Sequence, residues 1–335
     1  MIWYEEQTNS DIVVSTRIRL ARNLSKYPFP DAMNGEGIKK AREEIENCIL
    51  NSNSTLAKTF KSYRMEDLDD VKKQMMAEKH LVSLDLLRKK DGGVLVSDDE
   101  SMSIMLMEED HLRLQIILGG FKLDEAYETA SKVDDVIDEN VQYAFDADFG
   151  YLTSCPTNTG TGLRASVMMH LPALTMTNSI QRIAASASGL GIAVRGMYGE
   201  GSKAYGSLYQ ISNQVTLGLT EQEILEKVKN IVNQIAEHES QARKKLLENK
   251  KDYIEDRVYR AYGTLKYARS ISSQESKSLI SDVLMGQSMG IIDVGNNLIK
   301  LIVMAEPAYI EHMAEKRLSP EERDKKRAEF IRENL

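Results

Sequence analysis

The feature that most constrains this chain is a change of character near residue 220. From Thr220 to Tyr262 there is neither proline nor glycine, and helix formers dominate. Ile224, Leu225, Val228, Ile231, Val232 and Ile235 recur at helical spacing, and Thr220 with Glu221 and Glu223 gives a capping signal. The segment predicts one long helix running to about Tyr262. Upstream, β-branched segments alternate with glycine pairs, so strands and helices are mixed. We therefore expect an α+β fold, an antiparallel sheet flanked by helices over residues 1–242, followed by a helical C-terminal domain over 243–335.

Individual elements follow from periodicity. Residues 11–20 read as a strand, as do Val94–Val96, Ser103–Glu109, His111–Leu118, 191–197 and 207–217. Helices are expected at 36–50, 68–89, 123–145 and 178–189, and RASVMMHLPAL after Arg164 fits a helix or a strand. The formal charge of −8 disfavours nucleic acid and anionic membrane surfaces as partners. With two cysteines, Cys48 and Cys155, neither a disulfide framework nor a protein-built metal site is expected. No leader pattern or membrane-spanning apolar run is evident, and a cytoplasmic location is expected.

Four segments could carry chemistry. In the first strand, alternation places Ser15, Arg17 and Arg19 on one face and Val14, Ile18 and Leu20 on the other. Two guanidinium forks on one face suit an oxyanion, although a solvated strand face would look the same. In MEEDHLRLQ, alternation puts Glu109, His111 and Arg113 together, away from Glu108 and Asp110; a charged edge strand is the alternative. In SCPTNTGTGLRASV, Gly160 and Gly162 permit close backbone approach, with Cys155 before and Arg164 after; a glycine turn beside a core cysteine remains open. The ending is not that of a Walker loop. In VRGMYGEGSKAYG, four glycines predict a tight or mobile loop carrying Glu200 after Arg195, or simply a surface hairpin.

Taken in order, STRIRLARN, MEEDHLRLQ, CPTNTGTGLRAS and VRGMYGEGS resemble the signature segments of the ATP:guanidino phosphotransferases, over about residues 11–242. The chain is most similar to the bacterial protein-arginine kinases within that family. It enters STRIR without a preceding helical domain of the phosphagen-kinase kind, it reads YLTSCPTN and GMYGEGS, and it carries Arg323-Asp324-x-x-Arg327-Ala328 near its end. On residues alone the last motif reads as a solvated helix with i,i+4 charges.

The resemblance implies ATP as phosphoryl donor with Mg²⁺, and protein arginine as acceptor. It assigns nucleotide binding to Ser15, Thr16, Arg17, Ile18, Arg19, His80, Arg113, Arg164, Ala165, Ser166, Val167, Met168, Arg195, Gly196, Met197, Tyr198, Gly199 and Glu200. Glu109 and Glu200 match the catalytic carboxylates, and Cys155 matches the reactive cysteine, whose thiolate the arginines would favour. Arg323, Asp324, Arg327 and Ala328 match an allosteric phosphoarginine pocket. The likeness further implies a Clp-type protease system and an McsA-like activator as partners, and a homodimer or larger assembly. Met107 departs from the pattern, standing where relatives usually have Asn, and is expected to face the same side as Glu109. Two alternatives stay open: a kinase of free arginine or another small guanidino compound, and a non-catalytic phosphoarginine-binding adaptor.

Overall fold

A computed structural model describes residues 2–6, 10–52, 55–197, 204–295 and 297–335. The strands are β1 (Val13–Arg22), β2 (Phe60–Arg64), β3 (Gly93–Ser97), β4 (Met102–Leu106), β5 (Leu112–Gly119), β6 (Phe145–Asp146), β7 (Gly150–Tyr151), β8 (Leu163–His170), β9 (Ile192–Gly196) and β10 (Leu208–Asn213). The helices are α1 (Gly35–Leu50), α2 (Asp70–Glu78), α3 (Leu123–Asp138), α4 (Pro172–Met176), α5 (Ile180–Gly189), α6 (Glu221–Tyr267), α7 (Ser273–Ser288), α8 (Leu298–Met304), α9 (Pro307–Met313) and α10 (Pro320–Asn334). Eight strands form one sheet in the order β2-β3-β4-β5-β1-β8-β10-β9, with neighbours antiparallel; β6 and β7 make a separate short hairpin. The expected fold class is the one observed.

Strand alternation divides the sheet into two unlike faces. One is mainly apolar: Ile18, Leu20, Ile104, Leu114, Ile116, Ala165, Val167 and Ile211 are buried under the stripes of α1, α3, α5 and the first half of α6. The other face is apolar only at two places. Val94, Val96 and Met105 pack under α2 and the Leu81–Leu86 turn. Ile117, Met168, Met197 and Leu208 pack under Trp3, the end of α6, and α7, α8 and α10. Between these two coverings the face is polar, and the candidate site lies there.

Several boundaries differ from expectation for local reasons. A bulge separates Val13 from Ser15 in the pairing of β1 with β8, so Val14 joins the cluster on the arginine face and Val13, not Val14, packs with Ile18 and Leu20. The 68–89 helix is only α2, because His80 turns left-handed (φ 62°) and the chain then packs Leu81 and Val82 under the sheet. The 123–145 helix stops at Asp138; Val141 is buried, but beyond the helix end. Strand β4 ends at Leu106, and RASVMMH resolves to strand β8. The capping box of Thr220 and Glu223 opens α6, which breaks helical geometry at Lys250 (φ −143°, ψ 35°) and continues past Gly263 to Tyr267.

One buried carboxylate joins α2 to the C-terminal helices. Glu78 accepts the backbone N–H groups of Ala308 (3.1 Å) and Tyr309 (3.2 Å) at the start of α9. Burial, with the charge of Glu306, pushes its carboxyl up to about 7. A raised carboxyl favours the fold at low pH, and that contribution is lost as pH rises through about 7. Glu78→Gln is always neutral, so it should melt higher than wild type at pH 8, and the advantage should have largely vanished by pH 4, below the ordinary carboxyl value of 4.5. Thermal unfolding at the two pH values checks this.

Candidate active site

The polar strip of the sheet is the floor of a cleft of about 550 Å³. Cross-strand register explains its composition: Arg17 lies opposite Ser166, Arg19 opposite both Arg164 and Gln115, and Gln210 opposite Arg195. Four separate strands therefore bring Arg17, Arg19, Arg113, Arg164 and Arg195 to one lining, as five conveniently spaced sequence positions could not by themselves reveal. Arg17 donates to Gln210 Oε1 at 2.6 Å. Burial, followed by the charges of Arg164 and Arg113, lowers the Arg17 guanidinium to about 10. Arg19 is held well below its usual value by burial and then by Arg17, Arg113 and Arg164. Its Nε is buried without a hydrogen-bond partner. The guanidinium groups of such a cluster repel one another, opposed by the carboxylates of Glu108 and Glu109, and a bound anion would relieve the repulsion further.

Alternation also fixes which expected side chains face elsewhere. Thr16, Ile18, Ala165 and Val167 project from the opposite side, where Thr16 Oγ1 donates to Gly120 O and the other three are in the apolar core. Ser15, Ser166 and Met168 share the arginine side by register. His80 and Met197 line the cleft. The His80 imidazole is lowered to about 3 by burial, then by Arg17, Lys277 and Arg19, and is neutral at physiological pH. Tyr198, Gly199 and Glu200 lie outside the described residues.

The Glu109 segment is not the strand that alternation suggested. Residues 107–111 form a turn begun by Met107 in a left-handed conformation (φ 58°). Both Glu108 and Glu109 consequently reach Arg113, whose Nη1 donates to Glu108 Oε1 at 2.9 Å and whose Nη2 donates to Glu109 Oε2 at 2.8 Å. Glu108 is buried and also accepts the Ser83 hydroxyl. His111 does not join Arg113; it is fully buried, its Nδ1 accepting the Leu24 N–H. Asp110 is buried too, holding Asn23 Nδ2 and the Ser154 N–H, both at 2.7 Å. The Met107 side chain is in the apolar core, not beside Glu109. A left-handed residue is a position that Asn tolerates better than most. Burial raises the Glu109 carboxyl, opposed by Arg113.

The loop after β7 supplies the adjoining wall. Gly160 has φ 115°, and a Cβ there would come within 2.4 Å of Thr216 O, so the close approach excludes any side chain. Cys155 lines the cleft with its Sγ 3.0 Å from Thr157 Oγ1, and Asn158 Nδ2 reaches Glu109 Oε2 at 3.5 Å. Ser83, Asp85, Arg88, Asn158, Gln210 and Gln214 also line it and were not expected. The first three were hidden inside an over-long helix expectation. In the sequence Gln210 is one of three polar residues of LYQISN, and nothing there singles it out.

Arg323, Asp324, Arg327 and Ala328 are not at the cleft but on α10. They do not form a solvated face: Arg327 and Ala328 are each 1% exposed. Arg327 donates to Ala305 O (2.7 Å), Ile271 O (2.9 Å) and Asp324 Oδ1 (2.5 Å), while Arg323 donates to Glu311 Oε1 (2.9 Å).

Comparison with known proteins agrees with this geometry. The ATP:guanido phosphotransferase C-terminal catalytic domain matches residues 40–242, and the C-terminal domain of protein-arginine kinase McsB matches residues 251–335. A protein-arginine kinase of Caldanaerobacter subterraneus subsp. tengcongensis is 48% identical over 331 residues, 98% of either chain. The chain belongs to the protein-arginine kinases of the ATP:guanido phosphotransferase family. Another protein-arginine kinase, from Bacillus subtilis (strain 168), is 45% identical over 336 residues, covering 99% of this chain and 93% of its own. The crystal structure of lombricine kinase shares the fold of this protein-arginine kinase family member with a TM-score of 0.62 at 23% identity, over 70% of this chain and 68% of that one. Among the described residues no helix is long and apolar enough to cross a membrane.

Proposed function

We propose that the chain transfers the γ-phosphoryl group of ATP to arginine side chains of proteins. The observation that carries this is the clamp at the cleft edge, where Glu109 holds a guanidinium, that of Arg113, beside a floor of arginines. The floor suits a triphosphate through charge-assisted, forked hydrogen bonds. A guanidinium acceptor is the difficulty, since it stays protonated below about pH 12 and is a poor nucleophile. Glu109 can pair with its N–H groups, hold it in line with the γ-phosphorus and take a proton, helped by a carboxyl raised by burial. Glu200 is the proposed second carboxylate. Phosphate entering the cleft would compete for Arg113 and free Glu109 for the acceptor.

Mg²⁺ belongs to the same proposal. Among the described residues no group of three or more His, Cys, Asp or Glu could hold a metal ion. That fits an ion carried on the nucleotide's phosphates with water completing its shell. Binding of phosphoarginine near Arg323 and Arg327, action beside a Clp-type protease with an McsA-like activator, and a homodimeric or larger assembly rest on the likeness of the sequences. The division at residue 242 is supported by where the catalytic-domain match ends and by the nearby break in α6 at Lys250.

Incubation with MgATP and either an arginine-rich protein or free arginine tests the reading by intact mass and acid lability. Acid-labile phosphate on the protein is the expected result; label on free arginine alone would sink it. Cys155→Ala should lower kcat roughly ten- to hundredfold through loss of acceptor orientation, with the KM for ATP unchanged. Full activity in that variant would remove Cys155 from the reaction.

A further inference from the structure

Beside the cleft, large apolar side chains stand in solvent on adjoining segments: Val215 (45% exposed), Leu217 (48%), Phe149 (55%) and Phe145 (61%). Backbone contacts join these segments. Thr216 Oγ1 donates to the carbonyls of Thr157 (2.9 Å) and Thr159 (2.7 Å), tying its segment to the loop that carries Cys155. A Cβ on Gly160 would lie 2.8 Å from Leu217 Cα, and one on Gly150 would lie 2.5 Å from Gly160 O. The Phe145 ring stands 5.2 Å from that of Tyr151, whose N–H donates to Gly160 O at 2.8 Å.

Exposed apolar side chains gathered in one place mark a surface that is covered in use. Neither ATP nor a lone guanidinium extends beyond the cleft to cover this one. The row is continuous with the cleft, since Gln214, Thr157 and Asn158 line it and adjoin the row directly. Its charge is opposite to that of the floor. Segments 145–151, 155–161 and 214–217 contain no Lys or Arg, whereas Asp148 is exposed between the two phenylalanines.

We propose that this row binds the stretch of substrate polypeptide flanking the target arginine and selects apolar side chains there, with Asp148 favouring a basic segment. The proposal rests on the protein-arginine kinase reading above. Two peptides with one arginine each test it, one flanked by Leu and Phe, the other by Ser. With the Phe149→Ser, Leu217→Ser double variant, KM for the apolar peptide should rise about tenfold, the scale of losing apolar contacts. The kcat, the KM for ATP and the KM for the serine peptide should not move, and circular dichroism should match wild type. An unchanged KM for the apolar peptide, with wild-type activity intact, would overturn the proposal. So would a changed oligomeric state with both peptides affected equally, which would make the row a contact between copies. If wild type phosphorylates neither peptide nor any protein, the underlying reading fails as well, and the wild-type control shows that separately.

Discussion

Glu109→Gln is expected to lower arginine phosphorylation roughly 10²- to 10⁴-fold, the range of a lost general base. The amide keeps the size of the carboxylate and can still accept one hydrogen bond from Arg113, now 2.8 Å away. It can neither take a proton nor supply charge to the acceptor guanidinium. ATP affinity should be kept or slightly improved, because Arg113 loses one of its two competing carboxylates. Single-turnover formation of acid-labile phosphate, with calorimetry for ATP, separates the two effects. A non-catalytic phosphoarginine adaptor predicts the reverse, with function intact in the variant.

Arg19→Met should move stability and function in opposite directions. In the wild-type protein this side chain is half-buried, leaves its buried Nε without a hydrogen-bond partner and is repelled by three neighbouring arginines, a repulsion that Glu108 opposes. Removing it relieves that repulsion, so the ligand-free protein should melt higher than wild type. ATP affinity should fall about 10²- to 10³-fold, as expected for losing two charge-assisted hydrogen bonds. The rise in melting temperature that ATP gives the wild type should largely disappear. Melting curves with and without MgATP check both halves. A lower melting temperature without ligand would show that the arginine floor is not strained, and would remove the reason for calling it an anion site. Sites that keep unfavourable charge in the absence of ligand are a recurrent source of such trade-offs.

The sequence was most legible where one local rule decided the outcome. Alternation in β1 gave the shared face of Arg17 and Arg19, and the Thr220–Glu223 box gave the start of α6. It was least legible where a single backbone angle overrode the pattern. Met107 at φ 58° turns a would-be strand into a loop, which moves Glu108 to Arg113 and sends His111 into the core. His80 at φ 62° ends a helix early and exposes Ser83, Asp85 and Arg88 to the cleft. Neither residue is glycine or asparagine, and although histidine visits this region more often than most, a lone His inside a helical pattern is too weak a signal to announce a left-handed turn. Register was the other hidden quantity: Gln210 reaches Arg17 only because β10 is paired with β8, a partner far away in the chain.

The bulge at Val14 makes β1 tolerant of length change at one end only. Loss of a residue before Ser15 can be absorbed by straightening the bulge, because the strand is held in place from Ser15 onward by β5 and β8. Loss of a residue between Ser15 and Arg22 has no such outlet. It would turn Arg17 and Arg19 toward Ile104 and Ile116 and bring Ile18 to the cleft side. One extra residue thus divides the strand into a stretch whose length can drift between relatives and a stretch in which every insertion or deletion exchanges the core for the cleft.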